Sequence, residues 1–92
     1  MTTVTDPVVA ALRAEITALD ARLVETVNAR IKTVEKLRRY KAQNGIAFLD
    51  PDRENALLQQ LKELNAGPLS EGGLQEFLTF VLALVKQELA DE

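Results

Sequence analysis

Between Pro7 and Gln43 the chain contains neither an internal glycine nor an internal proline, and this uninterrupted run limits what it can fold into. Asp6 before Pro7 supplies an N-cap and a first-turn proline, and Asn44-Gly45 supplies residues that tolerate the left-handed conformation closing many helices. The pattern predicts one helix over 7–43. At ~1.5 Å per residue it would be roughly 55 Å long, more than a compact protomer of this size can cover. At ~100° per residue, Leu12, Ile16, Leu19, Leu23, Val27, Arg30, Val34, Leu37 and Lys41 share one narrow face. Two of those nine positions are cations. A long cation in an apolar seam is costly unless an anion meets it or its charged end reaches water along a buried stem.

The remainder of the chain predicts two shorter helices. Ile46-Ala47-Phe48-Leu49 is an apolar connector, and Asp50-Pro51 restarts a helix over about 51–64 with Leu57, Leu58, Leu61 and Leu64 inward, Glu54 on that stripe and Arg53 beside it. Asn65-Ala66-Gly67-Pro68 stops it. A third helix over about 70–90, weakened at its start by Gly72-Gly73, carries Leu74, Phe77, Leu78, Val81, Leu82, Val85 and Leu89 as a buried stripe. Residues 1–6 are polar and expected to fray, and Ala90-Asp91-Glu92 forms an acidic end. The expected fold is all-α: a single domain over residues 1–92 with three helices, the first of them very long. The exposed half of the long helix must pack on something, and a second copy suits it. In a two-fold arrangement the start of one long helix can lie against the middle of the other, so that Arg13 is supplied across the interface.

Composition removes most alternatives. A net charge of −3 lacks the electrostatic footprint of nucleic-acid binding, although Arg38, Arg39 and Lys41 form a local basic cluster. Without cysteine there is no disulfide or thiolate, and without histidine a zinc site is disfavoured, so no metal is expected. No segment reaches the ~18 apolar residues of a membrane span, and no basic region followed by an apolar run opens the chain, so a cytoplasmic protein with no membrane partner is expected.

The charged positions carry the chemistry. Each has an ordinary structural account: Asp50 as an N-cap, Arg53 and Glu54 as first-turn charges, Arg30 and Lys41 with buried stems and solvated ends. Together, guanidinium groups offer planar clamps for carboxylates, one ammonium offers a point charge, and Glu54 offers an acceptor. Such a set suits a small dianionic substrate. It contains no nucleophile and no metal ligands, so a reaction there would proceed by positioning and electrostatic stabilisation.

The ordered set Leu12-Arg13-x-Glu15-Ile16-x-x-Leu19-Asp20, Arg30, Lys41 and Asp50-x-Asp52-Arg53-Glu54 resembles the all-helical chorismate mutases from Leu12 to about Leu82. Leu49-Asp50-Pro51-Asp52-Arg53-Glu54 is the most specific piece. The resemblance implies an intertwined homodimer that converts chorismate to prephenate without a cofactor. It implies that Arg30 clamps a substrate carboxylate, with Arg13 of the other protomer sharing the ligand's anionic groups, and that Lys41 hydrogen-bonds the breaking ether oxygen. Glu54 and the backbone at Asp50 would hold the ring hydroxyl, with Arg53 adding positive charge nearby. Some short members work with a larger shikimate-pathway enzyme, which the resemblance makes a candidate partner.

One stretch departs from the family pattern. Members generally carry a serine and, four residues later, a glutamine or glutamate on the third helix, facing the ring carboxylate and the ether oxygen. The corresponding positions are Val85 and Leu89, and Gln87, the nearest polar substitute, lies about 200° from Val85 around the helix. Losing one such donor would lower the rate by about 10²-fold. Three other readings therefore stand beside chorismate mutase: an aminodeoxychorismate mutase, an isochorismate pyruvate lyase, and a non-catalytic helical dimer.

Overall fold

In a computed structural model, which describes residues 6–90, the chain forms α1 (Pro7–Gln43), α2 (Pro51–Leu64) and α3 (Glu71–Leu89). The described residues contain no strand. Of residues 1–6, expected to fray, 1–5 lie outside the described residues, as do Asp91 and Glu92 of the acidic end. Asp6 caps α1 as its sequence predicts: its Oδ1 accepts hydrogen bonds from the amides of Val8 at 2.8 Å and Val9 at 3.2 Å. None of the helices is long and apolar enough to cross a membrane.

The chain divides into two units, Met1–Arg30 and Ile31–Glu92. Within the first, the helix presents Val8, Val9, Leu12, Ile16, Leu19, Leu23 and Val24 to solvent, each between 41% and 65% exposed. A stripe this long and apolar would be covered in a stable assembly.

The second unit holds the hydrophobic core. Leu74, Leu78, Val81, Val85 and Leu89 are buried along one face of α3, and Ile31 and Val34 pack against the Val81, Val85 and Leu89 end of it. The α2 helix lies against α3, contributing the half-buried Leu57, Leu58 and Leu61. Gly45 adopts φ 67° after α1, and the Ile46 amide reaches back to the Lys41 carbonyl at 2.8 Å, so glycine provides the left-handed residue while Asn44 keeps a negative φ. After α2, Asn65 both accepts from the Gly67 amide at 3.0 Å and donates to the Leu69 carbonyl at 2.8 Å. Ser70 then caps α3 by accepting from the Gly73 amide at 3.0 Å. Gly73 has a packing reason to be glycine, because a Cβ there would meet Leu69 Cδ1 and Ser70 Oγ at 3.0 Å.

Leu82, expected in the buried stripe of α3, is half-buried, and two other expected core residues are exposed. Phe77 is 48% exposed, since the buried residues of α3 span about 80° of the helix and Phe77 falls about 80° from the middle of that arc. Leu64, the last residue of α2, is 70% exposed because none of the described residues covers that end.

Candidate functional site

The corner between α1 and α2 gathers three of the expected site residues. Lys41 stands in the last turn of α1, half-buried, and its Nζ donates to the Phe48 carbonyl at 3.3 Å. That bond ties the connector back onto the helix. Two residues later Asp50 opens α2, its Oδ1 accepting from the Arg53 amide at 3.0 Å and its carbonyl from the Glu54 amide at 3.2 Å. An ammonium has three donors, so one bond to Phe48 leaves Lys41 with further hydrogens to offer a ligand.

Glu54 is held from the other side of the unit. Its Oε1 lies 2.6 Å from Lys86 Nζ on α3, with both side chains partly exposed. Nothing in the residue pattern singles out Lys86, because a pairing between two helices depends on how they cross and not on spacing along either. Only its adjacency to Val85, a position with a family role, could have drawn attention to it.

The other expected residues fall as follows. Arg53 is exposed and uses its backbone amide to complete the Asp50 cap. In the first unit Arg30 is half-buried and Arg13 exposed. Val85 and Leu89 are 2% and 5% exposed and pack with Val81 against Ile31 and Val34, so these apolar side chains fill the protomer's own core. Gln87 is exposed.

The basic cluster near the end of α1 is largely spent on structure. Arg38 donates from Nη1 to the Leu89 carbonyl at 3.0 Å and pairs through Nη2 with Glu35 Oε2 at 2.9 Å, while Arg39 Nε pairs with Glu35 Oε1 at 2.9 Å. Burial pushes the Glu35 carboxyl up, but the hydrogen bond and charge of Arg38, joined by those of Arg39, outweigh it and hold the group below its ordinary value. What is left for a ligand at the corner is the Lys41 ammonium, the Glu54 carboxylate with its Lys86 partner, and the capped start of α2.

A family model described as chorismate mutase type II matches residues 12–88. Among curated proteins, a 4-amino-4-deoxychorismate mutase from Streptomyces venezuelae is 35% identical over 65 residues, which are 71% of this chain and 59% of that protein. The chain thus spans about three-fifths of the length of the curated relative it matches. No solved structure gives a significant match.

Proposed function

The chain belongs to the chorismate mutase type II family, and we propose that it rearranges chorismate to prephenate as a homodimer, without cofactor. The observation that carries the reading is the corner itself. One short connector joins Lys41, hydrogen-bonded to Phe48, to the Asp50 cap and to Glu54 in the first turn of α2. In the proposed reaction the ether oxygen gains negative charge as its bond to carbon stretches, and the Lys41 ammonium stabilises that charge at a fixed position. Arg30 and, from the partner subunit, the residue at position 13 neutralise the carboxylates. Glu54, with the backbone at Asp50, accepts the ring hydroxyl, and Arg53 adds positive charge. The exposed apolar stripe from Val8 to Val24 supports a partner of the same kind, because a second copy would bury it.

The similarity to the Streptomyces venezuelae protein supports a second reading, rearrangement of the 4-amino analogue. Both substrates carry two carboxylates and the same ether, and they differ in the ring substituent. A purified-protein assay with chorismate, its 4-amino-4-deoxy analogue and isochorismate separates them. Lys41→Ala should lower turnover by about 10²-fold or more while the protein still folds. Consumption of none of the three substrates, with and without a larger shikimate-pathway enzyme present, would reject the enzymatic reading in favour of a non-catalytic dimer.

A further inference from the structure

We infer that Lys86 is a specificity-determining residue, which sets Glu54 to receive a neutral hydroxyl and to disfavour a positively charged ammonium at the same ring position. The inference rests on the proposed function and adds a residue to it. Its observation is the 2.6 Å contact between Lys86 Nζ on α3 and Glu54 Oε1 on α2.

Glu54 alone would present a full negative charge, and a ring ammonium would meet it more favourably than a hydroxyl would. With Lys86 at Oε1 the situation reverses. The carboxylate already has its cation, and its remaining acceptor capacity still takes a hydrogen bond from a hydroxyl, since an ionised carboxyl accepts at about four lone-pair positions. An incoming ammonium would approach a like charge on the same carboxylate, a repulsion that a neutral hydroxyl does not meet. Lys86 further orients the acceptor. A glutamate side chain loses rotamer freedom when held, and a carboxylate held by α3 before substrate arrives need not be ordered by binding. Both members of the pair are partly exposed, so the discrimination is modest, on the order of tenfold where water screens the charges.

The test compares kcat and KM for chorismate and for 4-amino-4-deoxychorismate in the wild-type chain, in Lys86→Met and in Lys86→Arg. Methionine keeps much of the stem without the charge, and arginine keeps the charge. The ratio of kcat/KM for the hydroxyl substrate over the amino substrate should fall about tenfold in Lys86→Met, mainly through a lower KM for the amino substrate, and return to within about threefold of wild type in Lys86→Arg. A loss of activity equal for the two substrates, with an unchanged ratio, overturns the specificity role while leaving the proposed function standing, as does an arginine variant that behaves like methionine. Failure of the wild-type chain to turn over either substrate overturns the function and this inference together. A melting curve for each variant checks that the protein is folded.

Discussion

Arg38 Nη1 lies 3.0 Å from the carbonyl oxygen of Leu89, and through this bond the end of α1 closes the last turn of α3. The final carbonyls of a helix lack partners within it, and a cation placed among them satisfies one acceptor while complementing the helix dipole. Removing a hydrogen bond from a charged donor costs about 1.5–3 kcal/mol. Arg38→Met should therefore lower unfolding free energy by about 2 kcal/mol in urea titration, with little change in m-value. An unchanged midpoint would show the bond to be incidental.

Glu35 predicts a pH dependence whose direction follows from its neighbours. Its native value lies below the ordinary one, because Arg38 and Arg39 outweigh burial. A group depressed in the folded state contributes stability that is fully present above its unfolded value, ~4.3, and is lost as pH falls through the lower native value. Wild type should thus melt above Glu35→Gln at neutral pH, and the gap should begin to close only below pH ~4.3. A gap already closing between pH 7 and 5 would assign the stability to another group.

At Val85 and Leu89 the polar residues usual in the family would now be core substitutions. Val85→Ser leaves a cavity and places a hydroxyl among Ile31, Val34, Val81 and Leu89, which should cost about 2–4 kcal/mol, more than Val85→Ala. Restoring Ser and Gln there should lower the melting temperature without raising turnover. A rise in chorismate turnover in Leu89→Gln would place that side chain against the ligand instead.

Much of this was legible in the residues. Asp6-Pro7, Asn44-Gly45 and Asp50-Pro51 act locally, so the bounds of α1 and α2 agree with their capping signals. The Asp50-x-Asp52-Arg53-Glu54 run is likewise local, and it sits as a capped first turn. Less legible were features that depend on how helices meet. Periodicity placed Phe77 and Leu64 on apolar faces, yet a face is buried only where another element covers it, and here both remain open. The basic appearance of Arg38 and Arg39 gave no sign that Glu35 and Leu89 would engage them. For the same reason Lys86 was invisible until α2 and α3 were seen together.

The exposed stripe on the first unit leads to the last prediction, which concerns assembly and catalysis at once. If the partner subunit's Arg13 completes a site around Arg30, then Arg13→Ala and Arg30→Ala homodimers each carry two damaged sites. A mixed dimer is different: one of its sites contains both substitutions and the other contains neither. Random exchange of equal amounts makes about half of the dimers mixed, so activity should recover to roughly a quarter of wild type, a statistical outcome of two-fold symmetry. Leu19→Glu, placing a charge in the stripe where Leu19 is 55% exposed, should prevent assembly and abolish that recovery. Sedimentation velocity of each variant verifies the dimer, and exchange is confirmed with one differently tagged subunit. Confirmed mixed dimers that show no recovered activity would mean that each site is built from one chain.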